Sequence, residues 1–127
     1  MSEHKLQQLI SHYLSAYKAL DSKGCAEAFT ADGALFSPYG PPARGRQAIA
    51  DTHTEWFAEP EEDKTLEVLE YNENEHGGYC LLGWSARVPV EGSEDKFSIA
   101  SGVSLCVLSG DENELRFTRL ALVPDSI

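Results

Sequence analysis

The chain has 127 residues, a length that predicts one domain spanning residues 1–127 around one core. Hydrophobic residues make up 42% of the sequence, which is enough for a packed core and excludes a disordered chain. The formal net charge is −11, with only 10 Lys and Arg residues. This balance excludes the basic stripe of a nucleic-acid-binding protein and disfavours binding to an anionic membrane surface.

The N-terminal segment MSEHKLQQLI has no long apolar stretch, so we expect no secretory signal. No run approaches the roughly 20 apolar residues of a membrane helix. The three cysteines, Cys25, Cys80 and Cys106, are odd in number and not closely spaced. That pattern is typical of reduced thiols, and it predicts a cytoplasmic protein whose cysteines are buried packing residues.

Helical periodicity dominates the first half of the chain. Residues 3–20 predict an amphipathic helix, and Asp21 is a good N-cap for a second, short helix through Phe29. Gly45 is an acceptable N-cap for a third helix over 47–57. The apolar stripe of the first helix is formed by Leu6, Leu9, Ile10, Tyr13, Tyr17 and Leu20. One side of the third helix carries Ile49, His53, Trp56 and Phe57.

Strand signals lie on both sides of the third helix. A short apolar strand at 34–36 is followed by the proline-rich segment 37–42, which ends the strand or places it at a sheet edge. An acidic segment at 59–63 predicts a solvated linker. From Lys64 the apolar period becomes two. The strands predicted there cover 65–71, 79–90, 97–108 and 115–123, with polar turns at 72–78, 91–95 and 110–113.

The four later strands predict an antiparallel meander, which gives an α+β fold with the helices first. They are longer than the usual length of about five or six residues, so the sheet should curl strongly. Gly83 and Gly102 lie in mid-strand and predict a bulge or bend. A curled sheet under three helices makes a cone that side chains alone cannot fill, so we expect a pocket.

Several motifs, taken in order, resemble the nuclear transport factor 2-like superfamily, and more narrowly its SnoaL-like and ketosteroid-isomerase-like branch. They are Tyr13 and Tyr17, Asp21, the segment 29–34 with Pro38, and the segment 45–49. The resemblance implies a cystatin-like α+β cone, with three N-terminal helices packed over a strongly curved, mixed, mostly antiparallel sheet. Because this fold hosts many functions, the resemblance implies the fold more closely than the activity.

The resemblance also suggests a comparison of active sites. In ketosteroid isomerases a helix-one tyrosine is an oxyanion donor, and Tyr13 occupies what looks like that place. The general-base position is Ser37 here, and the position of the second oxyanion group is Val103. SnoaL-type cyclases place a histidine and an aspartate in the cavity. Neither has a match on a late strand here, and no residue from Lys96 to Ile127 is a histidine.

The candidate catalytic residues are Tyr13 and His53. His53 lies on the apolar face of the third helix and can act as an acid or base near neutral pH, whereas Tyr13 can donate a hydrogen bond into the cavity. If they act together, both face one cavity and His53 is partly buried with a displaced pKa. The structural alternative is that both are core residues. His4, His12 and His76 are scattered, so we expect no metal site and no cofactor.

The expected ligand pocket uses residues that can also serve the core, namely Tyr17, Phe29, Phe36, Trp56, Phe57 and Val103. Trp84 and Arg87, three apart on one strand, lie on opposite faces, so only one of them can line the pocket.

These features predict a protein that binds an apolar or amphipathic small molecule and can catalyse a cofactor-free isomerisation, cyclisation, dehydration or hydrolysis. The alternative is a non-catalytic ligand carrier or oligomerisation module. Converged polar groups with shifted pKa values favour the enzyme, whereas a cavity filled by Trp56, Phe57 and Tyr17 favours the module. The strands at 79–90 and 97–108 carry apolar or small residues on both faces, which predicts a homodimer through the sheet.

Overall fold

The structure, a computed structural model, describes residues 2–75, 77–92, 95–110 and 114–125. His76 and parts of the turns predicted at 91–95 and 110–113 lie outside the described residues. The elements are α1 (Ser2–Lys18), α2 (Ser22–Glu27), β1 (Phe29–Ser37), β2 (Gly40–Arg44), α3 (Arg46–Phe57), β3 (Glu62–Asn74), β4 (Gly77–Pro89), β5 (Phe97–Gly110) and β6 (Leu115–Pro124). Within these ranges no helix is long and apolar enough to cross a membrane.

The strands form one mixed sheet in the order β2-β1-β6-β5-β4-β3. Strands β3 to β6 pair antiparallel with their neighbours in sequence, so the predicted meander is confirmed. Strand β1 returns to lie parallel to β6, which makes the sheet mixed. The helices cover the concave face, where Leu6 of α1 and Ile49 of α3 join Leu82 and Phe117 of the sheet in one core. The predicted α+β class is therefore confirmed.

Local signals in the sequence account for where the helices begin. The Asp21 side chain accepts a hydrogen bond from the backbone N–H of Gly24 at 3.0 Å, so the predicted cap of α2 is confirmed. Gly45 precedes α3 with φ at +85°, a left-handed conformation that glycine adopts without a steric penalty. Its N–H donates to the Gly33 carbonyl at 2.8 Å, which ties the start of α3 to β1.

The proline-rich segment forms the edge strand β2 as well as a turn. Pro41 and Pro42 lie in β2, which in the part of the chain that the structure describes pairs with β1 and has no strand on its other side. A proline has no N–H to donate, so an edge strand is where a sheet tolerates it. The edge position was expected, whereas a second strand was not, because two adjacent prolines do not show strand periodicity.

The mid-strand glycines serve packing instead of the predicted bulges. The β4–β5 register runs without a shift through Gly83 and Gly102. A Cβ atom at Gly102 would lie 2.4 Å from the Val123 carbonyl oxygen and 2.7 Å from the Trp84 ring. Gly102 thus lets the indole lie against the backbone of β5. The irregularities in the ladders lie elsewhere, in β1, between 62 and 65 and between 68 and 70 of β3, and between β5 and β6 at 107–108.

Candidate functional site

A cavity of about 430 Å³ lies between the helices and the concave face of the sheet. Its walls are mainly aliphatic side chains from four neighbouring strands. They are Leu66 of β3, Leu82 and Val88 of β4, Ala100 of β5, and Leu120 and Leu122 of β6. Because successive residues of a strand point to opposite faces, these side chains form one apolar surface while their neighbours in sequence face outward.

Polar and amphipathic side chains interrupt this apolar wall, among them Tyr13, Ser104 and Trp84. Tyr13 reaches it from α1, and Ser104 reaches it from β5 with 5% of its surface exposed. Trp84 lies on β4, and its indole N–H is buried without a hydrogen-bond acceptor among the described residues. The interior of the cavity therefore offers few polar contacts, which is typical of sites for small apolar molecules.

Behind Tyr13 lies the side chain of His53, which is fully buried. The Tyr13 Oη atom and the His53 Nε2 atom are 2.7 Å apart, and His53 Nδ1 lies 2.8 Å from the Ile49 carbonyl oxygen. The rings of Tyr17, Trp56 and Phe57 also enclose the imidazole, with centroids 6.2, 5.0 and 6.0 Å away. Helices α1 and α3 thus bring together two residues that are 40 positions apart.

Hydrogen-bond partners define the protonation of this pair. Burial lowers the pKa of His53 to about 4, although the bond to the Ile49 carbonyl acts in the opposite direction, so the ring is neutral at pH 7. A carbonyl can only accept, so Nδ1 carries the single ring proton and Nε2 is an acceptor. Tyr13 donates to Nε2, because burial raises the pKa of Tyr13 well above its usual value and keeps the phenol protonated.

One end of the cavity is bounded by charged side chains, which we call the rim: Glu55, Glu59, Glu61 and Lys64. Glu55 and Glu59 are exposed, whereas Glu61 and Lys64 are half-buried. Tyr17 donates a hydrogen bond to the Glu61 carboxylate at 2.8 Å. Three carboxylates against one ammonium give the rim an acidic balance.

The ammonium of Lys64 lies between two aromatic rings. Its Nζ atom is 4.5 Å from the ring centroid of Tyr17 and 4.7 Å from that of Trp84. Burial lowers the pKa of Lys64, and the Glu61 carboxylate partly offsets this by favouring the charged form. Burial also raises the pKa of Tyr17, with the neighbouring Glu61 acting in the same direction. The two rings stabilise the lysine charge at the rim by cation–π interactions.

Of the residues predicted for the site, Tyr13, Tyr17 and Trp56 line the cavity. His53 does not line it among the described residues, but contacts Tyr13 directly from the helical side. Its burial is complete rather than partial, and its pKa is displaced in the direction that desolvation predicts.

The other predicted pocket residues lie elsewhere. Phe29 is fully buried against Phe117, and Phe57 packs against Tyr17 and His53. Val103 alternates with Gly102 and Ser104, so it faces outward, and Phe36 borders a shallow depression on that outer face. Ser37 accepts a hydrogen bond from the Tyr39 N–H. Strand parity explains the position of Val103, because Ser104, the next residue, lines the cavity and successive residues of a strand point to opposite faces.

Several residues at the site were missed from the sequence. Glu59 and Glu61 belong to the segment that was interpreted as a solvated linker, yet both line the cavity. Lys64 shares strand parity with Leu66 and Val68, and this alternation was the available signal that it faces inward. Trp84 lines the cavity whereas Arg87 forms an ion pair with Asp63 on the other face at 2.9 Å, as strand alternation predicts. Within the described residues, no group of three His, Cys, Asp or Glu side chains is arranged to hold a metal ion.

Sequence comparison finds no protein-family model and no curated protein that matches this chain. Comparison with solved structures, in contrast, finds similar folds over nearly the whole chain. A ketosteroid isomerase-like protein from Erwinia carotovora atroseptica is 17% identical, with a TM-score of 0.82, over 98% of this chain and 96% of that one. A protein from Catenulispora acidiphila in complex with S-DNPA is 19% identical, with a TM-score of 0.76, over 97% and 92%.

A third similar solved structure is described by its fold. It is a nuclear transport factor 2-like protein with a cystatin-like fold from Novosphingobium aromaticivorans. It is 16% identical to this chain, with a TM-score of 0.75, over 98% of this chain and 82% of that one. At such identities the similarity concerns the fold, and this chain has the cystatin-like α+β fold of the nuclear transport factor 2-like proteins.

Proposed function

We propose that this protein binds an apolar small molecule in the cavity between the helices and the sheet. The observation that carries the proposal is a cavity of about 430 Å³ with aliphatic walls and a hydrogen-bonded Tyr13–His53 pair at its side. Ligand sites usually measure roughly 300–1,000 Å³ and combine apolar walls with a few polar groups. The complex of the Catenulispora acidiphila protein with S-DNPA supports the proposal by similarity of fold.

We further propose that the bound molecule undergoes a cofactor-free proton transfer, such as an isomerisation, cyclisation, dehydration or hydrolysis. Two buried groups with displaced pKa values, 2.7 Å apart, favour this over a non-catalytic carrier or oligomerisation module. Tyr13 is the residue that contacts the substrate. As its oxygen takes a proton from the substrate, its own proton passes to Nε2 of His53, which is then an imidazolium.

The experiment that tests binding uses the fluorescent probe N-phenyl-1-naphthylamine and the two tryptophans of the chain. Both Trp56 and Trp84 line the cavity, so a bound probe should quench their emission by energy transfer. An Ala100→Phe variant places a ring in the cavity and should weaken probe binding at least about ten-fold. Ile99→Phe is the matched control, because Ile99 is 66% exposed on the other face of the same strand. Equal binding by both variants would refute the cavity as the site.

We also propose that two copies pair through the outer face of the sheet. Its centre is apolar, and Leu105 and Val107 are 46% and 48% exposed there. Polar side-chain pairs surround this centre, including Thr65–Ser85, Tyr79–Glu70 and Arg87–Asp63. An apolar centre within a polar border is the usual composition of a protein interface, and a second copy of this chain is the occupant that matches both.

Light scattering at micromolar concentration tests this pairing, and twice the mass of the chain is expected. A Leu105→Glu variant should reduce the mass to that of a single chain, whereas Glu67→Gln, on an exposed position of β3, should not. A monomeric wild-type protein would contradict the proposal.

We propose a cytoplasmic location as well, supported by three buried cysteines without disulfide partners. Fractionation of expressing cells tests this location.

A further inference from the structure

The direction of the Tyr13–His53 hydrogen bond determines which kind of ligand group Tyr13 can receive. His53 Nδ1 lies 2.8 Å from the carbonyl oxygen of Ile49, which has no proton to give. The one proton of the neutral ring is therefore on Nδ1, and Nε2 can only accept. The hydroxyl of Tyr13, 2.7 Å away, is then the donor, and its proton points to the helix side of the cavity wall.

Turning this proton toward a ligand is costly, because within the described ranges no donor other than Tyr13 bonds to Nε2. The imidazole is fully buried and enclosed by the rings of Tyr13, Tyr17, Trp56 and Phe57. Water has no access to this nitrogen, so the acceptor would be left without a partner. Tyr13 therefore offers a ligand the free lone pair of its oxygen rather than its proton.

The charges around the cavity limit the ligand in a second way. Glu55, Glu59 and Glu61 on the rim outnumber Lys64, whose ammonium is already held between two rings. The whole chain carries a net charge of −11. An anionic ligand would be repelled on entry, whereas a neutral molecule would not.

We infer that the ligand presents a neutral hydrogen-bond donor, such as a hydroxyl group, to the oxygen of Tyr13, and that His53 determines this preference. A ketone or aldehyde oxygen needs a hydrogen-bond donor at this position. Tyr13 does not supply one while its hydroxyl donates to His53. This direction is the reverse of the oxyanion-donor role that the resemblance to ketosteroid isomerases implied for Tyr13. The inference rests on the proposed function, since it concerns the ligand of the same cavity.

Three matched probes test the inference by displacement of N-phenyl-1-naphthylamine. 4-Hydroxybiphenyl carries a donor, whereas 4-methoxybiphenyl and biphenyl-4-carbaldehyde carry acceptors only. The wild-type protein should bind the hydroxyl probe at least about ten-fold more tightly than either of the others. Tyr13→Phe removes the acceptor, so the three affinities should converge. His53→Leu frees the Tyr13 proton, so the aldehyde should gain affinity relative to the hydroxyl probe.

A measurement without ligand accompanies the binding series. Long-range ¹H–¹⁵N correlation spectra should show His53 as the Nδ1–H tautomer, and an Nε2–H tautomer would overturn the inference whatever the probes do. Equal or tighter binding of the aldehyde to the wild-type protein would also overturn it, while leaving cavity binding intact. If N-phenyl-1-naphthylamine itself fails to bind, the proposed function falls and this inference falls with it. Circular dichroism spectra like that of the wild-type protein, with cooperative unfolding, would show that the two variants keep the fold.

Discussion

Replacing His53 with leucine should remove a specific pH dependence from the stability of the protein. The imidazole has a pKa of about 4 in the folded state and about 6.5 in the unfolded chain. Because the folded-state pKa is the lower one, the unfolded chain binds the extra proton between these values. The contribution of His53 is therefore constant above pH 6.5 and is lost as the pH falls toward 4.

The size of this loss follows from the two pKa values. Each pKa unit corresponds to about 1.4 kcal/mol, so the stabilisation lost between pH 7 and pH 4 is about 3 kcal/mol. The other ionisable groups of the chain are present in both proteins, so their contributions largely cancel in the comparison. The informative quantity is thus the difference in unfolding free energy between the wild-type protein and His53→Leu.

Urea unfolding followed by circular dichroism, at intervals from pH 7 to pH 4, provides the measurement. The advantage of the wild-type protein over His53→Leu should shrink by about 3 kcal/mol across this range. A difference that stays constant with pH would show that His53 is not held neutral by burial. The Nδ1–H tautomer of His53, and with it the proposed role of Tyr13, would then be wrong.

Two further predictions concern packing. Gly102→Ala should destabilise the protein by about 1–3 kcal/mol in urea unfolding, because the added carbon would lie 2.4 Å from a backbone oxygen and 2.7 Å from the Trp84 ring. Gly83→Ala is the control, and it should destabilise the protein clearly less, because the nearest atom to its added carbon is 3.4 Å away. Equal losses of stability would contradict the packing role of Gly102. The three cysteines are at most 2% exposed, and burial raises the pKa of Cys25 to about 12. A thiol reagent such as 5,5′-dithiobis(2-nitrobenzoate) should therefore label none of them until the protein unfolds. Rapid labelling of the native protein would contradict their burial.

Much of the fold could be predicted because its signals are local. Helical spacing, the Asp21 cap and the period of two after Lys64 each depend on residues close in sequence. The edge strand β2 could not be predicted this way. Its hydrogen bonds to β1 depend on the neighbouring chain, and Pro41 and Pro42 are poor strand formers on their own.

The site was less accessible to prediction because it depends on tertiary contacts. The sequence indicated that Tyr13 and His53 lie on apolar helix faces, but not that one hydroxyl lies 2.7 Å from one imidazole. Aromatic residues suit both cores and pockets, so Phe29 and Phe57 could not be assigned to either by residue type. Lys64 was missed because a lysine normally projects into solvent, whereas here two aromatic rings and the Glu61 carboxylate make an inward position favourable.

The central claim is that the cavity binds an apolar molecule next to Tyr13, and a crystal structure of the protein with N-phenyl-1-naphthylamine tests it most directly. We expect electron density for the probe against Leu82 and Leu120, with its N–H donating to the Tyr13 oxygen while the Tyr13–His53 distance stays near 2.7 Å. Density only on the outer face, against Leu105 and Val107, would contradict the account.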